Sequence, residues 1–120
     1  MVYIGIDLGG TGIKIGVVDE SGAILSQGET PTLAGRPYED IIADMGRCML
    51  DVMARGGFEE KDIASIGVGI PGVADEKTGH VIFCTNLGWS DVPLRTELQK
   101  YLNKPVYICL LYTSDAADEL

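Results

Sequence analysis

Between Gly5 and Lys14 the chain reads GIDLGGTGIK, and most of these residue types suit contact with a phosphate group. Gly9 and Gly10 carry no Cβ, so the backbone can approach an anion closely and turn its N–H groups inward. Thr11 adds a hydroxyl donor. Asp7, two residues before the glycine pair, can hold a magnesium ion through water on the far side of the phosphates. The stretch is neither a Walker loop nor a dinucleotide fingerprint, because GxxxxGK[ST] is missing and the residues after the glycines read as a strand. Taken alone, it is equally a tight hairpin whose glycines serve only the turn.

The elements that must position these residues follow from hydrophobic periodicity. Val2, Ile4, Ile6 and Leu8 alternate with Tyr3, Gly5 and Asp7, which is a strand pattern. Ile13, Ile15, Val17 and Val18 give a second strand, and the Asp19 to Gly22 turn leads into a third through Ala23, Ile24 and Leu25. After a loop containing Pro31 and Gly35, the period changes to that of a helix. Tyr38, Ile41, Ile42, Met45, Met49, Val52 and Met53 form one apolar face, with Pro37 at the start and Gly56-Gly57 at the stop. Ile63 to Ile70 is nearly continuously apolar and reads as a strand buried on both faces. A short extended piece at His80 to Cys84 follows. Leu94, Leu98, Tyr101 and Leu102 then mark a second helix, with Asp91 as its expected N-cap and Pro93 in its first turn. Pro105 to Ile108 begins a last strand. The order β-β-β-α-β-α-β describes an α/β mixed sheet with helices packed on it.

Bulk composition narrows the function classes. With 18 acidic and 9 basic side chains the formal charge is -9, so the chain repels nucleic acid and anionic membranes, and any phosphate must be held locally. No apolar run approaches the ~20 residues of a membrane span, and the first residues lack a secretory pattern. Cys48, Cys84 and Cys109 are odd in number and widely spaced, which points to reduced thiols without a zinc site and to a cytoplasmic setting. His80, the single histidine, has no nucleophile motif around it and reads as a surface residue. Asp75 and Glu76 read as turn residues, and the Met-rich helix as core packing.

Three ordered segments carry a family resemblance. IGIDLGGTGIKIGVVDESGAIL resembles the opening of the ROK family of sugar kinases, within the actin and hexokinase superfamily. VGIPGVADEKTGHV, from Val68 to Val81, resembles the family's next segment. NLGW, from Asn86 to Trp89, resembles its sugar-site segment. The resemblance runs from about residue 2 to residue 108. It implies a ribonuclease H-like, actin/hexokinase-type fold, and a kinase that uses ATP and Mg2+ to phosphorylate a hexose, with glucose the first choice. N-acetylhexosamine and fructose kinases are alternatives, as are a non-catalytic sugar-binding module and a ROK transcriptional repressor. A homo-oligomeric parent is expected, with sugar and ATP as its small-molecule partners and neither nucleic acid nor membrane among them.

Carried over by residue, the resemblance implies that Asp7 assists the Mg-ATP phosphates and that Gly9, Gly10 and Thr11 form the first phosphate loop. Lys14 either supplies positive charge there or is a solvated strand residue. Gly72 and Asn86 would line the sugar pocket. The Asn86 amide both donates and accepts, which suits neighbouring sugar hydroxyls, although an asparagine also serves loops. Trp89 reads as core at the pocket edge rather than as a sugar platform.

The family's catalytic aspartate follows the strand that begins with a Pro-Val pair. Here the corresponding position falls near Leu111, and Asp115 arrives about four residues late, or ~13 Å of strand, so it is not assigned as the base. Residues 1–108 are therefore read as the N-terminal kinase domain, and 109–120 as a tail departing from the family. A junction, a frameshift or adapter read-through would account for such a tail. The family's C-terminal domain and its zinc motif are expected to lie outside the chain, which is expected to be inactive by itself.

Overall fold

A computed structural model describes residues 1–110, so Asp115 lies outside the described residues. Strands β1 (Val2–Leu8), β2 (Gly12–Val18) and β3 (Ile24–Pro31) form the expected antiparallel meander. Leu8 pairs with Ile13, which leaves Gly9, Gly10 and Thr11 at the hairpin tip. At the next turn the Asp19 carboxylate accepts hydrogen bonds from the Ser21 hydroxyl, the Ser21 N–H and the Ala23 N–H. The Ser21 hydroxyl and the Ala23 N–H hold that carboxyl below its ordinary range. The third strand extends further than its apolar residues suggest, and Pro31, expected in a loop, is its last residue. β3 is the edge of the sheet, where a residue without an N–H forfeits no ladder bond.

Helix α1 (Tyr38–Gly56) follows the predicted stripe, with Ile41, Ile42, Met45, Met49, Val52 and Met53 buried. Each such side chain, moved fully from water to core, contributes about 1.5–3 kcal/mol. Glu39 and Asp40 occupy the positive first turn and Arg55 the negative last one. Gly57 adopts φ 78° and its N–H bonds the Ala54 carbonyl, while the Phe58 N–H bonds that of Met53. That pair of bonds is a Schellman stop, which requires the left-handed conformation glycine tolerates.

Strand β4 (Ile63–Ile70) pairs parallel to β1. The expectation that both its faces are buried is corrected. Ile63, Ile66, Val68 and Ile70 are buried, while Ser65, Gly67 and Gly69, on the other face, are only partly covered. The apolar run misled because glycine is compatible with an uncovered face as well as a packed one.

The region between β4 and the second helix differs most from expectation. It contains a separate antiparallel sheet of β5 (Val73–Asp75), β6 (His80–Cys84) and β7 (Trp89–Val92), so the predicted order lacks three strands; β6 matches the extended piece expected at His80 to Cys84, while β5 and β7 have no counterpart. Both are short, and β7 follows a 3-10 turn at Thr85–Leu87 that breaks the period. At the start of helix α2 (Leu94–Gln99) the N-cap position is held by Pro93, with no side-chain cap, and not by Asp91. Asp91 belongs to β7, has φ 51°, and its carboxylate lies 2.8 Å from His80 Nδ1.

Strand β8 (Val106–Leu110) completes the large sheet in the order β3-β2-β1-β4-β8, so it continues two residues past Ile108. Its pairing joins Gly69 to Cys109 and Ile70 to Leu110. The outer edge of β8 is clamped by Glu76, read in the sequence as a turn residue, and by Arg95, for which no role is expected from the sequence. Glu76 Oε2 accepts from the Ile108 N–H at 2.7 Å, and Arg95 Nε donates to the Val106 carbonyl at 2.9 Å. Arg95 and Glu76 also pair with each other at 2.7 Å. Ladder groups left unpaired at a sheet edge are thereby occupied.

Candidate functional site

The hairpin tip has an arrangement that turn glycines alone do not require. The Gly9 N–H bonds the Gly12 carbonyl at 3.0 Å, closing the base of the tip. Among the described residues, the N–H groups of Gly10 and Thr11 donate to nothing. Two adjacent free amides facing solvent can serve an incoming anion, since water is their only competitor.

Asp7 and Lys14 stand beside this tip. Strand pairing aligns Glu29, Lys14, Asp7, Gly69 and Cys109 in one row across the sheet. Cross-strand neighbours in such a row sit roughly 4.5–5.5 Å apart at Cβ. Asp7 and Lys14 are both exposed and neither is engaged in an ion pair among the described residues. A free carboxylate and a free ammonium thus flank the free amides. No group of three or more metal-ligating side chains occurs among the described residues. Magnesium typically binds one or two carboxylates and completes its shell with water and phosphate oxygens, so a lone Asp7 fits that mode.

A depression of about 740 Å3 opens beside the row and has Asp7, Lys14 and Glu29 on its wall and Gly5, Gly67 and Gly69 on its floor. It lies on the sheet face away from α1, and its lining includes Asp7 and Lys14 but neither the hairpin tip nor Asn86.

Asn86 comes to the same tip from the small sheet. It lies in the 3-10 turn at Thr85–Leu87, which ends at Gly88 with φ 67°. A methyl group placed on Gly10 would come within 3.2 Å of the Asn86 Cβ, so these residues are in van der Waals contact across 76 positions of sequence. Gly72 packs one layer further back. A methyl group there would lie 2.5 Å from the Phe83 carbonyl oxygen and 3.0 Å from the Cys84 Cβ, so no larger residue fits. This close approach fixes the segment that leads into Asn86, and the Cys84 thiol lies 3.9 Å from the Pro71 carbonyl. Gly72 therefore has a packing reason to be glycine, besides the sugar-lining role expected of it. Trp89 is buried at 5% exposure, as a core residue, and its indole N–H finds no acceptor among the described residues.

Two residues at the site have no motif to announce them. Thr32 is completely buried, donates its hydroxyl to the Gly9 carbonyl at 2.6 Å, and donates its N–H to the Thr11 carbonyl at 3.1 Å. Arg36 donates to the Thr32 carbonyl at 2.8 Å and pairs with Asp44 of α1 at 2.8 Å. The Arg36 hydrogen bond, with help from Arg47, holds the Asp44 carboxyl below its ordinary range. In sequence, ETPTLAGR reads as loop, and only the burial of a threonine in it marks these contacts.

Comparison with known proteins gives a consistent set of matches. The ROK family profile matches residues 3–110. A glucokinase of Thermotoga maritima is 36% identical over 106 residues, covering 88% of this chain and 32% of that protein. A putative xylose repressor of Caldicellulosiruptor is 30% identical over 107 residues, covering 89% and 27%. Among solved structures, a ROK family glucokinase from Streptomyces griseus in complex with glucose and AMPPNP superposes with a TM-score of 0.78. It is 30% identical and is matched over 90% of this chain and 32% of its own. The chain spans about a third of the length of these relatives.

Proposed function

This chain belongs to the ROK family, and from that premise we propose that it supplies the phosphate hairpin and part of the sugar site of an ATP-dependent hexose kinase, with glucose as the substrate. The observation that carries the reading is the contact between Gly10 and Asn86, because it sets free amide donors beside a side chain able to bond a sugar hydroxyl. Phosphoryl transfer needs those two ligands held next to each other, and most of its acceleration comes from positioning and charge stabilisation. The glucose and AMPPNP present in the Streptomyces griseus relative support the same pairing of ligands.

In this reading the Gly10 and Thr11 amides bind phosphate oxygens, and Lys14 adds positive charge from the neighbouring strand. Magnesium, when bound through water to Asp7, would offset the phosphate charge. Asn86 orients the sugar by donating to one hydroxyl and accepting from another. Gly72 lets the segment bearing Asn86 sit close enough to do so. No described residue is assigned as the base that takes the hydroxyl proton. We read the five-stranded sheet as the ribonuclease H-like half of a two-domain kinase.

The test is ATP-dependent phosphorylation by the protein encoded by the complete reading frame that contains residues 1–110, assayed with glucose, fructose, N-acetylglucosamine, N-acetylmannosamine and allose. Turnover with glucose as the preferred hexose is expected, and Asn86→Ala should raise the sugar KM. Xylose repressors among the relatives support a second reading, sugar binding without transfer. Sugar binding by that protein with no turnover on any hexose would favour the second reading over the first.

A further inference from the structure

Thr32 makes contacts that turn geometry alone does not demand, because both of its donors go to the hairpin tip and both acceptors are carbonyls. A trans peptide sets its N–H antiparallel to its C=O. With the Gly9 carbonyl turned to the Thr32 hydroxyl, the Gly10 N–H must point the opposite way. With the Thr11 carbonyl turned to the Thr32 N–H, the Gly12 N–H points away likewise. One buried residue thereby rotates two peptide units so that they present donors, and not carbonyl oxygens, to the far side.

We propose that Thr32 is a positioning residue for the phosphate site, aiming the Gly10 amide at the anion and holding the Thr11 carbonyl away from it. The inference rests on the phosphate role given to the hairpin above. Without the hydroxyl, the Gly9 carbonyl loses its buried partner, and the peptide gains freedom to rotate that oxygen toward the anion, where it repels. The hold reaches back into the core, since Arg36 bonds the Thr32 carbonyl at 2.8 Å and is itself anchored by Asp44 on α1. Thr32 touches no bound group in this scheme and acts only through the tip.

The experiment is a titration of the 120-residue chain with magnesium tripolyphosphate, followed by the Gly10 and Thr11 amide resonances in 1H–15N spectra and by calorimetry. Wild type, Thr32→Ser and Thr32→Val are compared. Thr32→Ser, which keeps the donor, should bind within about threefold of wild type. Thr32→Val should weaken binding about tenfold, equivalent to about 1.4 kcal/mol, and should displace the Gly10 amide resonance before any ligand is added. Equal tripolyphosphate affinity in wild type and Thr32→Val overturns the positioning role and leaves the phosphate reading intact. If tripolyphosphate moves neither amide in wild type, the phosphate reading falls and this inference falls with it. Should Thr32→Val fail to fold, wild type alone still decides the geometry. A through-bond scalar coupling between the Thr32 amide nitrogen and the Thr11 carbonyl is expected, and its absence overturns the proposal.

Discussion

The same strands give the large sheet two faces of opposite character. On one, Ile4, Ile6, Leu8, Ile13, Ile15, Ile66 and Val68 pack beneath the helices in a single cluster. On the other, Gly5, Gly16, Gly67 and Gly69 floor an open depression, and the charged row of Asp7, Lys14 and Glu29 crosses it. The packed face has large, buried side chains. The open face has small or charged ones with room above them. Strand alternation lets one segment of seven residues, Val2–Leu8, serve both: its odd positions lead to the site and its even positions anchor it.

Substitutions on the two faces should therefore differ most when they change volume. Ile66→Ala, at a position with no solvent exposure on the packed face, should cost about 2–5 kcal/mol in a denaturant titration. Gly46→Ala comes next. Its new methyl would sit 2.4 Å from the Tyr101 ring where α1 meets the segment after α2, and overpacking of that kind costs about 1–3 kcal/mol. Gly5→Ala is the contrast. Nothing lies within 4 Å of the added methyl, so stability should change by less than about 0.5 kcal/mol. A large loss at Gly5 would show that the open face is packed in solution, and the comparison would collapse.

The smallest effect expected is one of pH. Arg36 lowers the folded-state pKa of Asp44, so the pair contributes stability at neutral pH that is lost as pH falls from about 4 through the depressed folded value. Asp44→Asn should accordingly remove part of the acid sensitivity of unfolding between neutral pH and about pH 3. An unchanged pH profile would detach the Arg36 to Asp44 link from the hold on Thr32.

The legibility of the molecule in its sequence divides along similar lines. Alternation at Val2 to Leu8 and the stripe from Tyr38 to Met53 specify the meander and α1 because their burial is one-sided and periodic. The small sheet escaped because β5 has three residues and β7 four, too few to establish a period, and because Asp91 at positive φ resembles a cap. At the candidate site, Asp7, Gly9, Gly10, Thr11 and Asn86 are expectations from motif and resemblance, and of these the structure brings Gly10 and Asn86 together. Thr32, Glu76 and Arg95 are not, since each acts through a hydrogen bond to backbone distant in sequence, and Arg36 is not, since it acts through the carbonyl of Thr32. A backbone acceptor leaves no signature in residue type.

In the proposed function the hairpin tip and the Asn86 turn act as one two-part site. Its most direct test is a pair of titrations of the 120-residue chain, with glucose and with magnesium AMPPNP, read at the Asn86 side-chain amide and the Gly10 backbone amide. Glucose should move the Asn86 signal, the nucleotide should move the Gly10 signal, and saturation with either should alter the response to the other. Independent responses, or an Asn86 signal that no hexose moves while Gly10 responds to nucleotide, would contradict the account.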